Sequence, residues 1–340
     1  MTGRLSQAEI VVKFKEWVIP HSRAERAMRV LEELREQKRL ARWDTEARAA
    51  YLLAPSQSGK THTVSRNYFE NFVVPQFRAA SGFGHDVSDE DAKKLQKLVL
   101  YVKIPARPHL GAFAAALLDA LGDPRPWRGA PYERLHRALT QMREAGVELI
   151  IFDNFDHLSK SHTKDLEGEA SRIQDILKEM IENGWPIVFV GLPSAKRSIL
   201  RQIQIGHRMD EIYFGPFKSP EQEFVEYLSC LDLLMINDGI MDESSNFENP
   251  HIYRRLLISS AGQLGVLSNT VRYATKLASA EKAAHVAVRH LAQAVNDYAM
   301  RLKICKYNPF DVGEPALKRG LAEHAENILK WEREQEEAYA

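Results

Sequence analysis

Cysteine is nearly absent: Cys230 and Cys305 are the only two in 340 residues, far apart, with no CxxC and no histidine cluster beside them. That count argues against a disulfide framework and against a structural zinc site, and makes a reducing cytoplasm the expected setting. Long hydrophobic runs are also missing. LIIF (149–152) and PIVFVGL (186–192) have the length of buried strands, far short of the ~18 consecutive apolar residues of a membrane span, so no membrane partner is expected. The N-terminal stretch MTGRLSQAEIVVKFKEW scatters charges where a secretory signal needs an apolar core. Neither sign of charge dominates, with 46 Lys plus Arg against 46 Asp plus Glu. A nucleic-acid partner is therefore not announced by net charge and would have to be met by a local patch. No internal repeat and no low-complexity tract occurs.

What is present is the ordinary mix of a globular chain, 44% apolar and 27% charged residues. The length suits about two domains at ~150 residues each. Residues 7–48 read as charged helices, with Ala27, Val30, Leu31 and Leu34 on one stripe. Pro20 breaks this arm after its first helix, and Ser22 is placed to cap the second. The texture changes at Ala49. AAYLLA (49–54), LVLYVKIP (98–105), VELIIFDNF (147–155) and WPIVFVGLP (185–193) read as strands separated by helical patterns of 10–15 residues. Such alternation implies a parallel α/β sheet. YFGPF (213–217) reads as a hinge, because only helical patterns follow it. A charged amphipathic helix closes the chain, with 8 acids to 4 bases over 310–340.

The loop after the first strand, Ala54-Pro55-Ser56-Gln57-Ser58-Gly59-Lys60-Thr61, matches the phosphate-cradling pattern G-x-x-x-x-G-K-[ST] except for Ala54 at the first glycine. The residue types follow from the chemistry. Gly59 lets backbone N–H groups turn toward phosphates at the positive end of the next helix. Lys60 reaches the β- and γ-phosphates, and the Thr61 hydroxyl completes magnesium coordination. Pro55 through His62 are thus the expected ATP-binding residues. Asp153 ends the third strand, where the carboxylate that steadies magnesium belongs, so Thr61 and Asp153 are the expected metal ligands. Many such ATPases follow that acid with a glutamate that activates the attacking water. Here Asn154 follows, which can align a water but cannot take its proton. Asp156 is the alternative base, or an ordinary loop acid. Arg208, after the fourth strand, is the candidate for an arginine reaching a neighbour's γ-phosphate, with Arg201 as its rival.

Together these stretches resemble the AAA+ ATPases that regulate DNA transposition, the TniB/TnsC type related to MuB and more distantly to replication initiators. The resemblance rests on HSRAERAMRVLEEL, APSQSGKTHT, ELIIFDNFDHL, PIVFVGLPSAKRSIL, the GHRM segment and SSAGQLGVLSNTVRYATKLA, and covers roughly residues 17–310. It implies a P-loop AAA+ core with a parallel sheet, followed by a small all-helical lid. The corresponding organisation is an N-terminal helical arm (1–48), a nucleotide-binding α/β domain (49–216), a helical lid domain (217–305) and a C-terminal tail helix (306–340). The function it implies is an ATP- and Mg2+-dependent oligomer, ring or helical filament, that coats double-stranded DNA without sequence preference. Its further partners would be a transposase, which it recruits and activates, and a TniQ-type targeting protein.

Two departures from the family pattern bear on turnover besides Asn154. The lid usually reads G-x-[IL]-G-R, but this chain has Gly262-Gln263-Leu264-Gly265-Val266, so the lid arginine is missing and Arg272 lies about two turns along. After the fourth strand, Ser194 alone is a nearby polar candidate for the first γ-phosphate sensor. Binding with slow, partner-stimulated hydrolysis is the resulting expectation. In the family's fold the loops after the second and third strands line the DNA channel, which makes Lys103, Arg107, Lys160 and Lys164 the candidate phosphate contacts. Leu317, Leu321, Ile328 and Leu329 form a stripe that docks the tail on the core or on a partner. Two other functions compete: a nucleotide-locked adaptor scaffold with little hydrolysis, and a helicase-loader or initiator-type ATPase.

Overall fold

A computed structural model describes residues 5–42, 45–82, 87–159, 164–196, 199, 209–218 and 222–337. Its centre is a sheet of five parallel strands, β1 (Ala49–Leu53), β2 (Val99–Lys103), β3 (Leu149–Asp153), β4 (Ile187–Gly191) and β5 (Met209–Glu211), in the order β2-β3-β4-β1-β5. Side chains alternate between its faces. Tyr51, Leu53, Leu100, Val102, Ile150, Phe152, Ile187 and Phe189 join the core on one face, and Ala50, Leu52, Val99, Leu149, Ile151, Val188 and Val190 the core on the other. With β1, β3 and β4 buried along their whole lengths, these strands read as unbroken apolar runs. The fifth strand lies outside the sequence expectation of four. It is three half-buried residues, too short and too polar to give an apolar signal.

Helices in chain order are α1 (Gln7–Glu16), α2 (Ser22–Leu40), α3 (His62–Val73, wound as a π-helix), α4 (Val74–Ala80), α5 (Asp89–Leu95), α6 (Leu110–Leu121), α7 (Pro131–Glu144) and α8 (Lys164–Glu182). After the sheet come α9 (Gln222–Asn237), α10 (Pro250–Ser260), α11 (Leu264–Ala280), α12 (Val288–Ala294), α13 (Val295–Met300) and α14 (Glu314–Glu337). Residues of α6, α7 and α8 complete the first core, and those of α2 and α3 the second. Among the described residues no helix is long and apolar enough to cross a membrane.

Contacts divide the chain into two compact units, 23–56 with 60–214, and 1–22 with 57–59 and 215–340. The first holds the sheet. In the second, Ile10, Phe14, Phe217, Phe224, Leu228, Leu256, Leu267, Val271 and Leu291 build a separate core. Residues 1–48 do not stay together: α1 belongs to the helical unit, α2 after Ser22 to the sheet unit. Ser6 caps α1 in a capping box with Glu9. Ser22, in contrast, is the first residue of α2, and its backbone N–H donates to the Glu223 carboxylate. The tail helix α14 docks through buried Leu317 and Ile328, whereas Leu329 is exposed.

Candidate functional site

β1 delivers the chain to the loop 54–61 at the carboxyl end of the sheet, the end at which parallel α/β sheets place ligands. Ala54 is fully buried, donates its N–H to the Gly191 carbonyl at 3.1 Å, and is not among the residues with positive φ. A methyl group is tolerated there for that reason. The loop's left-handed turns fall at Gln57 (φ 63°) and Gly59 (φ 98°) instead. α3 then begins at His62.

Two side chains test the loop as a phosphate cradle. Ser58 Oγ is buried and has no hydrogen-bond partner among the described residues, an arrangement that costs about 1–3 kcal/mol unless a ligand satisfies it. Lys60 turns back over the loop, its ammonium donating to the Pro55 carbonyl at 3.1 Å. Burial lowers its pKa, against the pull of Asp153 and Asp156. Each group by itself suits a phosphate ligand, whose oxygens accept from a hydroxyl and from an ammonium alike. Pro55 and His62 are half-buried, while Ser56 and Thr61 are exposed and open to a ligand.

Asp153 ends β3 beside Lys103 of β2 and is 1% exposed. Its Oδ1 accepts the Asn154 N–H at 2.8 Å and its Oδ2 the Tyr101 hydroxyl at 2.7 Å. Asn154 adopts φ 60°, a left-handed conformation that asparagine tolerates better than most residues. That backbone requirement gives a local reason for an asparagine at this position. Asp156 is buried on the turn Phe155–Leu158, and its Oδ1 accepts the Leu192 N–H at 3.3 Å. Lys60, Asp153 and Asp156 therefore share one neighbourhood. Ser194 is exposed on the turn Pro193–Ala195.

Within the helical unit the loop residue Gln57 is held from α11 and α13. The Tyr298 hydroxyl and Asn269 Nδ2, the latter at 3.4 Å, both donate to its Oε1. Tyr273 stacks on Tyr298 at 5.3 Å, and the Arg272 guanidinium sits over Tyr273 at 5.9 Å. Gly265 packs so tightly that an added Cβ would stand 2.4 Å from the Gln57 carbonyl. Val266, at the position of the missing arginine, is buried in the lid.

The candidate DNA contacts are less complete. Lys103 and Arg107 are exposed, with the Lys103 ammonium 6.0 Å from the centre of the Tyr101 ring. Lys160, Arg201 and Arg208 lie outside the described residues, and of Lys164 only the backbone, opening α8, is described. Sequence reasoning missed Tyr101, Asn269 and Tyr298. Tyr101 was within reach, since it shares a strand with Lys103 and flanks the acid-bearing strand. Asn269 and Tyr298 meet Gln57 across 212 and 241 residues, and no local pattern encodes that.

A sequence model of the family described as bacterial TniB protein matches residues 11–219. No curated protein matches. Among solved structures, the ORC2 protein of Aeropyrum pernix in its ADP form superposes with a TM-score of 0.56 at 17% identity, over 86% of this chain and 73% of that one. The ORC1 protein of Aeropyrum pernix in complex with DNA gives 0.53 at 19% identity, over 86% and 69%. CDC6p of Pyrobaculum aerophilum gives 0.51 at 14% identity, over 84% and 70%. These likenesses establish the fold, an AAA+ core of parallel strands with a helical lid.

Proposed function

The chain belongs to the family of bacterial TniB proteins, and from that premise we propose that this AAA+ ATPase is an ATP-dependent, DNA-binding oligomeric regulator of transposition. In this reading it assembles on double-stranded DNA, as ring or filament, marks the target, and recruits and activates a transposase together with a TniQ-type targeting protein. The observation that carries the reading is the loop 55–62, in which, among the described residues, the buried Ser58 hydroxyl lacks a partner and Lys60 donates to a backbone carbonyl.

In the mechanism we propose, backbone amides of Gln57, Ser58 and Gly59 receive the triphosphate, and Lys60 moves from Pro55 to the β- and γ-phosphates. Thr61 and Asp153 would hold a magnesium ion, which supplies charge neutralisation to the leaving phosphate when bound. Asn154 orients the attacking water. Asp156, close enough to Lys60 to act on it electrostatically, is the carboxylate available to accept the proton. Arg208 of one subunit would approach the γ-phosphate of the next. Lys103, Arg107, Lys160 and Lys164 would meet the DNA backbone, a recognition that carries no base information.

A second reading, the nucleotide-locked adaptor, is favoured by one specific pair of features: an amide at Asn154 and a buried Val266 where a lid cation would stand. Losing a preorganised charge typically costs ~10²–10³ in rate. We expect turnover below about 1 s⁻¹, the low end of ordinary enzymes, with assembly that persists until a partner stimulates hydrolysis. The deciding experiment is Lys60→Ala followed by calorimetry with ATP and by sedimentation with DNA. ATP binding and ATP-dependent assembly should both disappear, and undiminished binding would overturn the phosphate-loop assignment.

A further inference from the structure

Among the described residues Asp153 receives two hydrogen bonds. One comes from its own chain neighbour, the Asn154 N–H on Oδ1. The other comes from a different strand, the Tyr101 hydroxyl on Oδ2 at 2.7 Å. Register explains the reach. Lys103 pairs with Asp153 and Tyr101 with Ile151, so the tyrosine spans the diagonal of the β2–β3 ladder to the acid one alternation further along. Its ring lies against Phe69 of α3, centroids 6.2 Å apart. Burial and the neighbouring Asp153 charge raise the tyrosine's pKa far above its usual value, while Ser65 of α3 hydrogen-bonds in the opposite sense. Tyr101 stands between the helix that leaves the phosphate loop and the acid that ends β3.

We propose that Tyr101 is a positioning residue for the magnesium site, its hydroxyl fixing the Asp153 carboxylate in the orientation from which it supports the ion's shell. The inference rests on the ATP–magnesium reading above. A carboxylate with one oxygen tied only to the adjacent amide retains rotation about χ2, a broad, soft torsion. The second donor, from a rigid strand, removes that freedom. Partners of this kind, one step removed from a metal, typically change metal affinity 10–100-fold when removed.

The test uses the full chain and its Tyr101→Phe variant, which keeps the ring against Phe69 and deletes only the hydroxyl. Binding of a fluorescent ATP analogue is measured in EDTA and then across a magnesium titration. The expected result is an unchanged affinity in EDTA and a magnesium midpoint raised about tenfold, with the thermal midpoint close to that of the parent chain. Combining Tyr101→Phe with Asp153→Asn should shift the midpoint no further than Asp153→Asn alone. Tyr101→His, a ring with a donor of its own, guards against a folding failure and should recover part of the shift. An unchanged or lowered midpoint in folded Tyr101→Phe, or additive shifts in the double variant, overturns the proposal. If the parent chain itself binds the analogue without any magnesium response, it is the underlying nucleotide reading that fails.

Discussion

Lys60 offers the sharpest single-residue prediction because its charge is already under strain. Burial lowers its pKa in the free protein, and a bound triphosphate would raise it again. Between those two values the free ammonium is partly deprotonated and the bound one is not, so nucleotide binding takes up a proton. Affinity should accordingly fall as pH rises through the depressed pKa. Calorimetry across an alkaline pH series in two buffers of different ionisation heat reads this directly, and proton release, or no exchange at any pH of the series, would contradict it. The neighbouring Asn154 constrains how the missing base is sought. Its φ of 60° makes Asn154→Glu a strained substitution as well as a chemical one, whereas aspartate also tolerates the left-handed region. Asn154→Asp should therefore raise turnover with nucleotide affinity nearly unchanged. Asp156→Asn should lower it by the ~10²–10⁴ that a general base supplies, and steady-state hydrolysis unaffected by that change would remove Asp156 from the mechanism.

Among the elements, the start of α11 and the middle of α2 carry separable roles. Gly265→Ala would drive a methyl to 2.4 Å from the Gln57 carbonyl, so either α11 or the loop must shift. We expect at least a tenfold loss of nucleotide affinity, read by calorimetry, with the sheet unit intact. Arg35 of α2 is 4% exposed and binds Glu148, at the entry to β3, at 2.9 Å and Glu32 at 2.7 Å. Glu32 also accepts the buried Tyr68 hydroxyl. Breaking this network with Arg35→Ala leaves Glu32 and Glu148 with Arg39, at 3.9 and 3.6 Å, as their remaining cation among the described residues, and since both acids are partly solvated the cost should fall near or below ~3 kcal/mol, measured by denaturant unfolding. The same elements mark what the sequence made legible. Four strands, the loop and the Asp153 position were readable because apolar runs and Gly59-Lys60-Thr61 are local signals. β5 was not, being held by pairing with β1 rather than by its own composition. Gly265 was readable as motif but not as cause, which lies in its approach to a residue two hundred positions earlier.

At the scale of the whole chain, the balance of charge is itself informative. With 46 bases and 46 acids, long-range attraction to DNA is weak, and binding must come from a small number of cations gathered at one place. Lys103 and Arg107 are exposed on the segment from β2 to α6, and oligomerisation would repeat them along the duplex. That links the two proposed activities: a subunit with few phosphate contacts binds poorly alone, and ATP-dependent assembly multiplies those contacts on one DNA molecule. Binding should therefore be ATP-dependent, indifferent to base sequence and steeply weakened by salt, since each phosphate contact contributes about −0.9 to the log–log slope. Lys103→Ala and Arg107→Ala should each make that slope shallower by roughly one per assembled subunit contact while leaving ATP binding unchanged. Fluorescence anisotropy with two unrelated duplexes, across a salt series and with ATP present or withheld, measures all three properties. A slope that is flat, or that is untouched by both substitutions, would place the DNA elsewhere on the molecule; tight binding to one duplex alone would replace phosphate contact with base readout.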